Sequence, residues 1–441
     1  MDQSSDARLK ESNYMDTMGI PATAPAHGIP KRYLIVFFAF SCTLINIVDR
    51  VNLSVVGPVL AKERGWNAVL LGTVLSAFFW GYTASPIIGG WLADRLGAKR
   101  VLGAGALWWS LCTILTPLGG GVAGMMAFRV LLGLGEGVNS PAVQSLAARW
   151  LPLKERTRSV ALYLTGSPIG TIIAFPLTTW VIAAWGWHWA FYIYGIVGLV
   201  WLFFWVLFGA GSPETDPGIT EAERNYIIAD RRLPDVRTGV PWRLLLSSRA
   251  VWGLIIMTFS VAWLVWLFLS WLPYYLMTAH HFSLKQSGVY SALPFVSNMI
   301  GGVGAGWIQD RWIASGAPIT RVRKVTITVS SVFTVLFLLV IATTHSPMVA
   351  VWGLVLAMAI FAASQGTVMV NNIDIGPRHA GVILGLQATA GNLAGAISPV
   401  VAGIIVQTTG SFRGVFYLIA AILGVGVIAW DLLASGERVI D

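Results

Sequence analysis

The chain has 441 residues, 56 % of them hydrophobic and 11 % charged, with a formal net charge of +9. A soluble domain carries about 25 % charged residues, so this chain has too little polar surface for a water-soluble globule and is expected to be a polytopic, all-α membrane protein. That sets aside a nucleic-acid-binding reading of the positive charge, and Cys42 and Cys112, both in apolar runs, suggest neither a disulfide framework nor a thiolate metal site.

Residues 1–32 are polar and contain Pro21, Pro25 and Pro30. They lack the basic-then-apolar pattern of a cleaved signal and are expected to be a disordered cytoplasmic tail before a retained first helix. Apolar stretches of about 20 residues follow twelve times, each long enough to cross a hydrocarbon core of about 30 Å. They fall at about 33–58, 69–92, 101–118, 122–147, 159–183 and 188–209, then at 250–276, 288–308, 325–344, 348–370, 381–406 and 412–433. The one long interruption, 210–249, is polar and charged and divides the helices six and six. The expected organisation is therefore an N-terminal half over 33–209, a cytoplasmic loop over 210–249, a C-terminal half over 250–433 and a cytoplasmic tail over 434–441.

Charge placement implies the orientation. Of 29 Lys and Arg residues, 23 fall on the side of the termini and the central loop, 4 on the other side and 2 inside spans. By the positive-inside rule both termini and the central loop are expected to be cytoplasmic. An internal repeat supports the division: "GWLADRLGAKR" (90–100) follows the second helix, and "GWIQDR" (306–311) follows the second helix of the second half. Repeats of this kind mark duplicated transporter halves. Gly90 and Gly306 would permit close helix approach, and Asp94 and Asp310 could cap a helix or pair with a nearby arginine. Gly90, Asp94, Arg95, Gly97, Arg100, Asp310 and Arg311 are thus candidate conformational residues.

Four charges remain well inside helices: Asp49 and Arg50 on helix 1, Arg129 and Glu136 on helix 4. Intramembrane ionisable groups usually face a bundle interior and mark an ion or substrate path. Arg129 and Glu136 are seven apart, two helical turns, so they share a face about 10 Å apart along the axis. Gly133, Gly135 and Gly137 leave that helix slim, favouring close packing or access beside Glu136. Arg50 and Arg129 are fixed positive charges with bidentate geometry for carboxylate or phosphate. Asp49 and Glu136 are candidate proton carriers; their protonation changes the set from neutral to positive and favours an anion. The plainer alternative is a buried pairing that only holds helices 1 and 4 together.

The second half offers neutral groups: Gln365, Asn371, Asn372, Gln387 and Asn392 on helices 10 and 11. Each could read the far end of a substrate or make an interhelical hydrogen bond. Trp263, Trp266, Trp271, Tyr274 and Tyr275 on helix 7 read as lipid-facing or interfacial anchors. Asp374 and Arg378, in "DIGPR", read as a helix-terminal or gating pair. "GLGEG" (133–137) lies within a membrane helix with no preceding strand, so it is no dinucleotide loop. The six histidines are scattered at tails and helix ends, and adjacent His280 and His281 are poorly spaced for one metal. No cofactor or metal is called for, and no catalytic or nucleotide-hydrolysing motif is visible.

Twelve helices, the six-plus-six division and the "GWLADRLGAKR" loop resemble the major facilitator superfamily of secondary transporters. "VDRVNLSV", "FFWGYTASPIIGGWLADRLG" and "FRVLLGLGEGVNSPAVQS" resemble its anion:cation symporter family, and "VNNIDIGPRHAGVILG" is similar to the sialin and vesicular glutamate transporter branch. The resemblance implies Asp49 and Glu136 as proton-coupling acids, Arg50 and Arg129 as anion-binding residues, and Tyr82 as a substrate contact. Two positions depart: Ile47 stands where those symporters have tyrosine, and Ser167 where they have a sugar-contacting glutamine. The implied function is proton-coupled symport of an organic anion, by a monomer in a cell's inner membrane, with protons, the anion and the lipid bilayer as partners. Sodium-coupled or exchange transport, including of inorganic phosphate, and a non-transporting anion sensor are the alternatives.

Overall fold

The computed structural model describes residues 29–231, 242–376, 379–437 and 439. Most of the expected N-terminal tail, residues 1–28, lies outside the described residues, as do part of the central loop (232–241) and Arg378.

Among the described residues the chain is almost wholly helical. In the first half α1 is Lys31–Arg64, α2 Ala68–Leu96 and α3 Ala98–Leu115; α4 (Val122–Gly137) and α5 (Asn139–Trp150) are separated by Val138 alone. Helices α6 (Leu153–Leu164) and α7 (Gly166–Trp185) are separated by Thr165, and α8 spans Trp187–Phe208. Two short helices follow, α9 (Glu221–Asp230) and α10 (Trp242–Ser247). The second half comprises α11 (Arg249–Ala279), α12 (Leu284–Ala314), α13 (Ile319–Thr343), α14 (Pro347–Ile375), α15 (Ala380–Thr409) and α16 (Arg413–Leu433). Among the described residues ten spans are long and apolar enough to cross a membrane. The α4–α5 stretch and the 31-residue α12 complete the twelve crossings, six in each half. The protein is an all-α membrane protein of two related halves.

Local chemistry explains several boundaries. Asn67 caps α2 by accepting from the Leu70 N–H, and Ser283 with Gln286 closes a capping box at the start of α12. Gly97 ends α2 at φ +85°, a conformation open to glycine, which is the physical role of that motif position. The loop after α8 is less open than its polarity suggests. Thr220 caps α9, and Glu223 of that helix accepts from the Lys31 and Arg32 backbone N–H groups at 3.0 and 3.1 Å. Arg32 also pairs with Glu155 at 2.9 Å, so α1, α6 and α9 are tied at one end.

The halves meet toward the end of the bundle carrying residues 67–72 and 399–407. There Gln407 accepts from the Ala68 N–H at 3.1 Å, and the Phe175 and Phe295 rings stack at 5.6 Å. Toward the Lys/Arg-rich end, Ile87, Trp91, Met369 and Ile373 are exposed, and Gly304, Gly306, Gly381 and Gly385 have open space where a Cβ would be. Those glycines therefore face open space. This corrects one expectation: Gly306 makes no close helix approach, and Gly90 has only ordinary contact with Pro141.

Candidate functional site

Helix α1 buries polar residues together with apolar ones in its middle stretch. Asn46, Asp49, Arg50 and Asn52 face inward, and Asp49 is 1 % exposed. Opposite it, α4 buries Arg129 (2 % exposed) and Glu136 (1 % exposed). Close packing of α4 on α2 sets their position: a Cβ at Gly133 would lie 2.1 Å from the Phe78 carbonyl oxygen. The glycines of "GLGEG" thus serve helix packing.

The four charges are brought together, but unequally. Arg50 donates from Nη2 to Glu136 Oε2 at 2.9 Å. Its guanidinium lies over the rings of Phe78 and Tyr82, 4.5 Å from each centroid, and 5.4 Å from that of Trp266. Tyr82 therefore contributes its ring face, stacked on Phe78 at 5.2 Å. Among the described residues, Arg129 has no carboxylate within ion-pair distance. It donates to the Asp49 and Arg50 backbone carbonyls, at 3.5 and 3.4 Å, and lies over the Phe78 ring at 5.4 Å, while its Nε has no hydrogen-bond partner among the described residues. Both carboxylate oxygens of Asp49 and Glu136 Oε1 are likewise buried without hydrogen-bonding partners among the described residues. Buried charge left this way is costly, and a ligand or proton offsets the cost. A cavity of about 10 Å³, room for about one water, is lined by Arg50, Arg129, Ser54, Phe79, Trp266 and Ser270. It lies between the halves, because Trp266 and Ser270 belong to α11.

Asn139 extends the polar seam by donating from its amide nitrogen to Asn46 Oδ1, and Cys42 donates to Asn139 Oδ1 at 3.3 Å. Both asparagines went unremarked in the sequence, although Asn46 precedes Asp49 by three residues and Asn139 follows Glu136 by three. That spacing was the available signal. Phe78 and Trp266 carried no such signal. The helix α11 aromatics are not lipid-facing: Trp263, Trp271 and Tyr275 are buried, and Trp266 packs on Phe79 at 4.8 Å. At the departing positions, Ile47 is buried on α7, where a Cβ at Gly170 would lie 2.3 Å from its Cγ2. Ser167 makes no side-chain hydrogen bond among the described residues; its carbonyl accepts from Thr171.

In the second half, Gln387 Nε2 donates to Thr258 Oγ1 and the Val368 carbonyl, each at 3.1 Å, and its Oε1 accepts from Asn372 at 2.9 Å. That network ties α11, α14 and α15. Asn371 is buried with neither amide atom partnered, Asn392 is buried, and Gln365 is half-buried. Asp374 pairs with Arg323 of α13 at 2.9 Å, while Arg323 also donates to Gln309 at 3.1 Å. Arg323, assigned to a loop by the sequence, lies inside α13 and is a further buried charge. The repeated turns behave alike: Arg95 lies over Trp91 at 4.3 Å and Arg311 over Trp307 at 4.0 Å. Asp94 and Asp310, read as able to cap a helix or pair with an arginine, are exposed and show neither contact among the described residues. Arg100 lines an apolar groove between α2, α3 and α4.

Known proteins agree with this architecture. The chain is 35 % identical to the chloroplastic ascorbate transporter of Arabidopsis thaliana, over 100 % of this chain and 81 % of that protein. It is 37 % identical to chloroplastic sodium-dependent phosphate transport protein 1 of the same plant, over 93 % and 81 % of the two chains. It is also 37 % identical to probable anion transporter 4, chloroplastic, of Oryza sativa subsp. japonica, over 93 % and 70 %. Among solved structures, a D-xylose–proton symporter superposes with TM-score 0.74 at 16 % identity, covering 92 % of this chain and 99 % of that one. A bacterial homologue of the human lysosomal transporter Spinster, inward-facing and occupied, superposes with TM-score 0.76 at 16 % identity, covering 92 % and 97 %. The family model described as Major Facilitator Superfamily matches residues 39–399. With its twelve helices in two halves and these transporters as relatives, this chain belongs to the Major Facilitator Superfamily and is a multi-pass membrane transporter, not an enzyme, in keeping with that superfamily's anion:cation symporters.

Proposed function

We propose that the protein is a proton-coupled symporter of an organic anion, working by alternating access around the α1–α4 charge set. The observation that carries this reading is Arg129: a buried guanidinium with no carboxylate partner, beside a small cavity at the junction of the halves. It supplies a bidentate docking point for a carboxylate. Asp49 and Glu136 are the acids placed to carry protons, and Arg50 links Glu136 to the aromatic wall of Phe78, Tyr82 and Trp266. With both acids ionised the four charges sum to zero; with both protonated the set is positive and attracts an anion. Proton and anion then move together as the halves rock about the midplane. The ascorbate-transporting relative supports an organic acid, while Ile47 seated on Gly170 removes one hydroxyl-reading position. Asn371 is the second-half group best placed by burial and lack of partner to meet the substrate's far end.

The Lys/Arg bias supports both termini on the cytoplasmic side; a cell's inner membrane, a monomer as the working unit and the domain limits 33–209 and 250–433 belong to the same proposal. The test is uptake in proteoliposomes under an imposed inward proton gradient, with sodium replaced by choline at constant pH. Gradient-driven accumulation of a carboxylate without sodium is expected; strict sodium dependence would overturn proton coupling. The sodium-dependent phosphate relative is the specific observation favouring the second reading, sodium-coupled phosphate or anion transport. In the same assay that reading predicts accumulation lost in choline.

A further inference from the structure

A cavity of about 620 Å³ opens at the end of the second half where α11, α13, α15 and α16 terminate, away from the charge set. Its rim carries His280 and His281 from the α11–α12 link, His345 from the α13–α14 link and Arg413 at the start of α16. Its floor is aromatic, with Tyr275 buried against Phe412 and Phe416 at ring distances of 5.2 and 5.1 Å. The rim is built, not incidental. His281 takes φ +57°, a conformation rare for a side-chain-bearing residue, and turns the chain so that the Phe282 N–H meets the Leu276 carbonyl at 3.1 Å. Tyr275 and His280 share a hydrogen bond of 2.7 Å, and Arg413 Nη2 meets His345 Nε2 at 3.1 Å.

That last contact has one consistent proton arrangement. Arginine only donates, so His345 Nε2 accepts and the ring is neutral. Once His345 is protonated both groups are donors, and an oxygen acceptor between them becomes the favourable arrangement. The titratable or charged groups around the cavity are Tyr274, Tyr275, His280, His281, His345 and Arg413; α15 contributes none, and no carboxylate lines it. We infer that this cavity is a second, outer anion site, taking a carboxylate or phosphate group at the histidine–arginine rim and an apolar or aromatic body on its floor, more tightly as pH falls. Burial, with His281 and His345 nearby, holds the His280 pKa below the ordinary histidine value. The empty cavity therefore loses stability as pH falls through that range, and a bound anion restores it.

The experiment is calorimetric titration of the full-length protein in phosphatidylcholine nanodiscs with benzoate and with inorganic phosphate, at about pH 5.5 and about pH 7.5. Wild type is expected to show a site that tightens about tenfold or more at the lower pH. Arg413→Gln and His345→Gln should lose that site while keeping carboxylate uptake at saturating substrate. The site should survive Arg129→Ala, which separates it from the central one; Arg413→Lys should restore it in part. Phosphatidylglycerol nanodiscs distinguish the source: weakened benzoate binding there means a lipid headgroup occupies the rim, and unchanged binding means a soluble anion does. Wild-type affinity in both Arg413→Gln and His345→Gln at the lower pH would overturn the inference.

Discussion

The first and fourth helices of each half occupy related places in the duplicated architecture, yet their interiors differ in kind. In the first half, α1 and α4 bury Asp49, Arg50, Arg129 and Glu136, with several polar atoms unpartnered. In the second half, α11 and α14 meet α15 through a hydrogen-bonded neutral network of Thr258, Asn372 and Gln387; beside it Asn371 is buried without partners among the described residues, and the α14 carboxylate Asp374 is paired with Arg323. The halves still share the Gly-Trp-x-x-Asp-Arg turn, and even its Trp–Arg ring stacking. Duplication thus retained the turn while the interiors diverged. A satisfied neutral network stabilises one packing, whereas charges lacking partners respond to protons and ligands. The proposed coupling chemistry therefore sits in the first half, with the second half proposed to supply the opposite wall of the site.

Three substitutions test this contrast, beginning with the most damaging. Arg129→Ala removes the guanidinium without a carboxylate partner; accumulation of the carboxylate substrate is expected to fall about 100-fold or more, as for loss of a buried charge-assisted contact. Normal accumulation by that variant would break the assignment of the site to the first half. Glu136→Gln leaves Arg50 without its carboxylate and removes a proton carrier. Uptake should no longer rise with an inward proton gradient, with roughly tenfold less accumulation, while counterflow exchange of preloaded substrate persists. Retained gradient dependence would leave Asp49 as the sole proton carrier. Gln387→Ala is the mildest, because interhelical hydrogen bonds in membranes contribute about 0.6 kcal/mol on average. A small drop in thermal stability is expected with the pH dependence of uptake unchanged; an altered pH profile would place coupling in the second half as well.

Much of this was legible without coordinates. Apolar segment length marked the spans because the bilayer core demands it, and the family emerged from motif residues. Asp49, Arg50, Arg129 and Glu136 stood out because charge within an apolar run has no inexpensive explanation. Neutral and aromatic groups were less legible. Trp266 in an apolar helix is consistent with lipid, core or site, and only its neighbours Phe79 and Arg50 decide. Arg323 looked like a loop charge because positive residues cluster at span ends; its partners Asp374 and Gln309 lie 51 and 14 residues away. The outer rim was unreadable for the same reason, since His345 and Arg413 are 68 residues apart.

The sequence alone determined that the chain crosses a membrane many times, that it is duplicated, and that four charges lie within its helices, because burial cost depends on composition and position along a span. Only the tertiary structure decided which charges are satisfied. Arg50 pairs with Glu136, and Arg129 is left facing carbonyls and a cavity, because the close α2–α4 contact at Gly133 sets the height and rotation of α4 against α1. Pairing depends on distances of a few ångströms between segments far apart in the chain, and no one-dimensional pattern carries those distances.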